Sequence, residues 1–428
     1  MRYKSLSKQF YQKNRMNFLN KISNNSIAIF NSNDLMPTNA DGIMGFKQNN
    51  DLFYLSGIDQ EESILILCKG VKNHSNSYLF IKETSDLIKI WEGEKLTQQE
   101  AKDLSGITEV RWLGDFSAFI SELTKNTKTV FINSNEHARN ATEVQTRDDR
   151  FLLDFIQKHP WQKIEKSALI MHQLRYKKET EEIHQIQTAI DITKTAFDKV
   201  LTTIKPDIWE YEIEAEIIHT FIKNGSRDHA YSPIIAGGKN ACILHYIDND
   251  QKLKNGDLVL MDFGAEYGNY NADLTRTIPV NGCYTKRQKD VYNAVLRVMK
   301  ASIQLLSVGN TFPDYNKAVG ELMTKELVDL NLISTQEIKD QIDEKPAYRK
   351  YFMHGNSHSL GLDVHDVDDR SIPFAEGMVF TCEPGIYIPE EGIGIRIENN
   401  ILITKSGQKD LTNHIPVEVE EIEDIMNK

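Results

Sequence analysis

The sequence lacks most of what would place it in a membrane, on nucleic acid or in an oxidising compartment. None of its apolar runs approaches the roughly 18 residues needed to span a bilayer. The N-terminal stretch MRYKSLSKQFYQKNRMNFLNKI is polar and amphipathic with no apolar h-region, so a secretory signal is not expected there. Cationic residues are the minority: 50 Lys and Arg stand against 62 Asp and Glu, a formal net charge of −12. That balance excludes the basic face that non-specific nucleic-acid binding requires. Only four cysteines occur, Cys68, Cys242, Cys283 and Cys382, and no two have CxxC spacing. They read as reduced, mostly buried thiols. The expectation is a cytoplasmic chain with no membrane or nucleic-acid partner.

What remains has the composition of a soluble globular enzyme, 40% hydrophobic and 26% charged. Its 428 residues exceed one typical core and suggest two domains. The first, 1–172, reads as a small α/β domain. Ser26–Phe30, Ser63–Leu67, Ser77–Ile81 and Thr129–Ile132 are β-rich apolar runs, with helical stretches at Thr97–Leu104 and Asp115–Leu123, the latter with Asp115 as a candidate cap. Asp51–Ile58 (DLFYLSGI) reads as core. The charged run Arg175–Glu182 marks the boundary, and 173–428 reads as the second domain.

In this second part Ile183, Ile186, Ile190, Phe197, Val200, Leu201 and Ile204 recur at helical spacing until Pro206. Further helices are expected over Trp209–Asn224, after the T-x-x-Q capping box at Thr285, and over Tyr315–Val328. The β-runs Leu258–Phe263, Ala272–Val280, Met378–Pro384 and Gly394–Ile403 complete an α+β domain, with helices covering one face of an antiparallel sheet.

Four carboxylates and one imidazole interrupt these apolar runs: Asp262, Asp273, His358, Glu383 and Glu398. A hairpin folded about Tyr267–Gly268 would set position 262 opposite 273. A turn at Pro389–Gly392 would set Glu383 opposite Glu398. Directly opposed carboxylates, with Cβ atoms about 5 Å apart, repel unless a proton or a cation intervenes. Any one of these residues alone reads as a turn or surface group; together, buried in apolar strands, they suit a pair of divalent cations. His354 and His358 do not form an H-E-x-x-H motif, because position 355 is Gly. Oxygen-rich coordination with one imidazole favours Mn²⁺, with Co²⁺, Fe²⁺ or Zn²⁺ as alternatives.

These segments resemble the metallopeptidases of the pita-bread fold. The matching stretches are CILHY (242–246), GDLVLMDFGAEYGNYNADLTRTIPV (256–280), HGNSHSLGLDVHD (354–366), EGMVFTCEPGIYI (376–388) and GIGIRIEN (392–399). DLFYLSGI and the size of the first domain are similar to the N-terminal domain of Xaa-Pro aminopeptidases and prolidases. Ser357 before His358 is closer to the aminopeptidases. Ser359 and the pair Asp368–Asp369 depart from the common pattern near the substrate pocket.

The resemblance implies that Asp262 binds one metal, that Asp273 and Glu398 bridge two, and that His358 and Glu383 complete the second. It places His245, His354 and His365 along the substrate cleft, Arg396 and Tyr387 behind the carboxylates, and Arg370 near the substrate chain. It also implies a homo-oligomer, dimer or tetramer.

Two metal ions about 3.5–4 Å apart bridge a water and lower its pKa. The expected reaction is attack of that hydroxide on the carbonyl of an N-terminal Xaa-Pro bond. Glu383 would shuttle the proton, and His365 and His245 would donate to the oxyanion. The alternatives are a prolidase restricted to Xaa-Pro dipeptides and a non-catalytic binding module on the same scaffold.

Overall fold

The computed structural model describes residues 3–71, 74–140, 143–342 and 345–428; the first two residues of the N-terminal stretch lie outside them. The chain divides into two compact units, one of Ser5–Arg175 and one of Tyr176–Lys428 joined by Tyr3 and Lys4.

The first unit is built on a six-stranded mixed sheet. Its strands are β1 (Ser26–Asn31), β2 (Ile64–Val71), β3 (His74–Ile81), β4 (Glu109–Trp112), β5 (Thr129–Ile132) and β6 (Lys163–Lys166), in the order β4-β3-β2-β1-β5-β6. β1 lies centrally, antiparallel to β2 and parallel to β5, and all six of its residues are buried. Ile27, Ile29, Ile66, Phe80, Val130 and Ile132 form one apolar core.

The DLFYLSGI stretch is core, as its composition predicts: it forms the helix Asn50–Ser56, whose Leu52, Phe53, Tyr54 and Leu55 are buried. Thr97 caps the helix Gln98–Ser105 through a capping box with Glu100. Asp115 does not cap its helix. It closes a 3₁₀ turn, Leu113–Asp115, its backbone is αR where a capping residue is extended, and its side chain makes no cap bond to the helix Phe116–Thr124. Cys68 and Cys382 are buried, but Cys242 is half-buried and Cys283 exposed, short of the expected burial; all four are free thiols.

Among the described residues of the second unit every strand pairing is antiparallel. The strands are β7 (Ile234–Gly237), β8 (Leu258–Phe263), β9 (Glu266–Tyr267), β10 (Tyr270–Asn271), β11 (Leu274–Pro279), β12 (Val379–Cys382), β13 (Gly385–Ile388), β14 (Ile393–Arg396), β15 (Asn399–Thr404) and β16 (Gly407–Asp410). They make two three-stranded ladders, β11-β8-β7 and β12-β15-β16, and two hairpins, β9-β10 and β13-β14.

The long helices are Thr180–Thr203, Glu210–Lys223, Lys286–Leu305 and Phe312–Asp329. The first buries Ile186, Ile190, Phe197, Val200 and Leu201, each worth roughly 1.5–3 kcal/mol of burial. Thr285 and Gln288 form the expected capping box on the third. Among the described residues no helix is long and apolar enough to cross a membrane.

β11 is the seam between the two ladders. Glu398 N–H donates to Thr275 O at 3.1 Å, and Arg396 N–H donates to Thr277 Oγ1 at 3.2 Å. The guanidinium of Arg276, fully buried, donates to Glu398 O (2.7 Å), Thr275 O (2.9 Å), Asn399 Oδ1 (2.9 Å) and Pro416 O (2.9 Å). The candidate site lies on the other face of β11, where Asp273, Thr275 and Thr277 alternate with Leu274, Arg276 and Ile278.

Candidate metal centre

The second acidic pair stands where the hairpin argument puts it. Ladder β12–β15 ends at Cys382↔Asn399, and β13–β14 resumes at Gly385↔Arg396 in the same register, so Glu383 faces Glu398 across the gap. The first pair is offset by two residues. Asp262 pairs with Thr275, not with Asp273, which becomes its diagonal neighbour on the same face. The cause is the turn. Gly268 and Asn269, at φ 59° and 67°, are both left-handed, so the two-residue turn is Gly268–Asn269 and the fold axis moves one position along.

Asp273, His358 and Glu398 offer ligand atoms that all lie within 4.8 Å of one another. His358 Nε2 is 3.3 Å from Asp273 Oδ2 and 3.7 Å from Glu383 Oε1. The Nδ1 of His358 lies 3.0 Å from Ser359 O. If that nitrogen carries the proton, as this contact requires, Nε2 turns a lone pair toward the acids. This is the arrangement of a metal-binding histidine, whose second nitrogen is held by a carbonyl.

Lone pairs and carboxylates facing one another in a buried site call for cations or protons between them. Burial, with Asp273 and Glu383 adding to it, raises Glu398 well above the usual carboxylate range. Burial also raises Asp262, against the pull of Arg396, and raises Glu383 to about 7, against His358 and Arg396. For His358 burial lowers the imidazolium, but Asp273 and Glu383 outweigh it and the net shift is upward. The donor set therefore fits divalent cations: hard oxygens, one inward-turned imidazole, and negative charge that the protein leaves largely uncompensated.

Arg396 orders the rear of the site. Its Nη2 donates to Asp262 Oδ2 at 2.7 Å, its Nε to Thr275 Oγ1 at 3.2 Å and its Nη1 to the Tyr387 hydroxyl at 2.9 Å. Thr275 Oγ1 donates to Glu398 Oε2 at 2.7 Å. Tyr387 is 2.8 Å from His354 Nε2, and His354 Nδ1 is 2.7 Å from Gly355 O. Burial and the charge of Arg396 hold His354 down to about 3, so it is neutral, donates to Gly355 and accepts from Tyr387. His354 Nδ1 also lies 3.7 Å from Glu383 Oε2.

His365 stacks on His358, rings 3.9 Å apart and 8° from parallel. His245 is exposed and near enough for its charge to depress His354. Arg370 is set apart from this group: its guanidinium lies 4.8 Å over the Phe312 ring and 3.3 Å from Asp368.

Sequence reasoning missed three members. The Tyr231 hydroxyl lies 2.5 Å from both Asp262 Oδ1 and Asp273 Oδ1. It has one proton for two acceptors, so the bond is shared or one carboxyl is protonated. No spacing of acids or histidines marks Tyr231. Asn400 brackets the Asp273 backbone, accepting from its N–H at 3.2 Å and donating to its carbonyl at 2.5 Å. Thr275 was legible, since it shares the period-2 face of Asp273.

Residues 184–405 match "Metallopeptidase family M24", and residues 11–131 match "Aminopeptidase P, N-terminal domain". The chain is 34% identical over 438 residues to the Xaa-Pro aminopeptidase of Haemophilus influenzae, covering 99% of this chain and 98% of that one. It is similar to the low-pH form of Escherichia coli aminopeptidase P, with TM-score 0.90, 32% identity and 99% of both chains covered. It is also similar to a zinc-substituted E. coli aminopeptidase P in complex with product, with TM-score 0.89, 32% identity and the same coverage.

Proposed function

We propose, from the premise that the chain belongs to metallopeptidase family M24 and is a metallo-aminopeptidase, that it removes the first residue from peptides carrying proline in second position. Asp262, Asp273, His358, Glu383 and Glu398 would hold two divalent ions, Mn²⁺ foremost. The observation that carries the reading is the buried acid cluster into which His358 Nε2 is turned. When bound, such ions supply a nucleophile at neutral pH and Lewis-acid polarisation of the scissile carbonyl.

The chain's own residues supply the rest. Glu383, 3.7 Å from His358 and from His354, takes a proton from the attacking water and returns it to the proline nitrogen. His365, with His245 as second donor, stabilises the developing oxyanion. His354, held neutral between Tyr387 and Gly355, forms a wall of the cleft beside Glu383. The substrate's free amine meets the carboxylate cluster, which restricts cleavage to the chain terminus. Proline's nitrogen has no N–H to offer, so a cleft walled by imidazole and apolar groups accepts its ring without stranding a hydrogen-bond acceptor. A role in cytoplasmic peptide turnover follows from this reading.

The test is release of the first residue from Xaa-Pro, Xaa-Pro-Yaa and Xaa-Ala-Yaa peptides by metal-stripped protein with and without Mn²⁺. Mn²⁺-dependent cleavage of Xaa-Pro-Yaa and not of Xaa-Ala-Yaa is the expected result. Cleavage confined to the dipeptide would make the protein a prolidase, and no cleavage with Mn²⁺, Co²⁺ or Zn²⁺ would overturn the reading.

A further inference from the structure

Close to the metal centre lies a buried charge pair that the reaction above does not use. Lys178 Nζ is 3.0 Å from Asp366 Oδ2, and each side chain is only 1% exposed. A pair buried this deeply adds little net stability, because desolvation offsets the attraction. Its presence calls for another explanation, and the surrounding bonds supply one.

The Lys178 backbone is fixed first: its N–H donates to Gly377 O at 2.8 Å. Gly361 leaves the room in which lysine and aspartate meet, since a Cβ there would stand 2.3 Å from Asp366 Oδ2 and 2.8 Å from Lys178 Cε. Asp366 N–H donates to Ser359 O at 2.9 Å, closing the loop that begins beside His358. Within the loop Gly361 N–H donates to Asp363 O at 3.0 Å. Asn271 grips the same loop, its Nδ2 donating to Gly361 O and Leu362 O, both at 3.0 Å. The neighbouring Tyr270 hydroxyl donates to buried Glu182 at 3.0 Å. The Lys178–Asp366 pair, the two bonds from Asn271 and the two backbone bonds within the loop all act on Ser359–Asp366, and that loop carries His365 onto the face of His358.

We propose that Lys178 is a positioning residue which, by pairing with Asp366, fixes the loop that holds His365 in its catalytic orientation. This rests on the reading of His365 as oxyanion donor.

The experiment is a kinetic cycle on full-length, Mn²⁺-loaded protein: Lys178→Met, His365→Ala and the double variant, assayed on one Xaa-Pro-Yaa tripeptide with metal content and thermal unfolding followed in parallel. Lys178→Met is expected to lower kcat roughly 10- to 100-fold with KM and metal content nearly constant, and Lys178→Arg to recover most of the loss. In the His365→Ala background the same change is expected to lower kcat by less than about twofold, because the two residues act as one. An equal loss in both backgrounds, or an unchanged kcat in Lys178→Met, would overturn the proposal. If Lys178→Met fails to fold with Asp366 left as a lone buried charge, Lys178→Met/Asp366→Asn removes both charges and replaces it in the cycle. Failure of the underlying reading has its own signature: His365→Ala alone would leave kcat unchanged, and the proposal would fall with it.

Discussion

Glu383 and Glu398 face each other where one antiparallel ladder gives way to the next in unbroken register. Neither backbone N–H is used in that ladder. Glu383 N–H donates to Asn356 O at 2.9 Å, and Glu398 N–H to Thr275 O at 3.1 Å. Each acid is thus anchored from a different part of the chain, while the charge of Glu383 helps to raise Glu398. The two should fail differently when changed. Glu383→Gln is expected to lower kcat about 10²- to 10⁴-fold, the range for loss of general acid–base catalysis, and the loss should persist at saturating Mn²⁺. Glu398→Ala is expected to lose metal outright, read by metal analysis after dialysis; full retention of metal would remove Glu398 from the ligand set.

Tyr231 holds one oxygen of each aspartate and so selects which oxygens remain for a cation. Tyr231→Phe removes that hydroxyl with little change of shape. Supporting residues of this kind are typically worth about 10- to 100-fold in metal affinity. Titration calorimetry with Mn²⁺ should show a weakening in that range, and an unaltered affinity would contradict the assignment.

The metal-free protein should become less stable as the pH rises. Burial with neighbouring carboxylates raises Glu398, burial raises Asp262 and takes Glu383 to about 7, and His358 also ends above its ordinary 6.5. Each binds its proton more tightly folded than unfolded, so stability falls as that proton leaves. His354 has the opposite sign. Held down to about 3, it costs stability only below its ordinary 6.5. Above that pH the contributions named here share one sign. Thermal unfolding of stripped protein should therefore fall in midpoint between about pH 6.5 and pH 8.5, and Mn²⁺ should abolish most of the fall by replacing the protons. A midpoint equally flat with and without metal would refute this account.

Gly264 lies between Asp262 and the β9–β10 hairpin. A Cβ there would stand 1.9 Å from Ala272 O, a backbone atom that cannot swing aside. Gly264→Ala is expected to destabilise the protein by about 1–3 kcal/mol, measured by denaturant unfolding, and to weaken Mn²⁺ binding because the displaced strand carries Asp273.

Much of this architecture was legible before any coordinates. The Thr285 capping box, the helix ending before Pro206 and the Glu383/Glu398 opposition all follow from local rules: side-chain capping, 3.6-residue periodicity, and a turn flanked by strands. The register of Asp262 was misplaced because it depends on which two residues turn left-handed, and Tyr-Gly-Asn-Tyr offers two ways to fold. Tyr231 was invisible because its partners lie 31 and 42 residues away in sequence. Arg276 ran against the pattern altogether: a guanidinium sits on the core-facing side of β11 because the carbonyls of Thr275, Glu398 and Pro416 await it there.

That seam has a consequence for the order of assembly. The acids come from strands separated in sequence by the helices Lys286–Leu305 and Phe312–Asp329, and the last of them, Glu398, takes its place only by bonding to Thr275 on a strand made much earlier. The guanidinium that grips its carbonyl also needs Pro416, 140 residues further along the chain. A growing chain that has already made Asp262 and Asp273 therefore has no complete acid cluster until Glu398 and Pro416 have followed, and a cation that the cluster would hold can be captured only after the backbone has closed on itself.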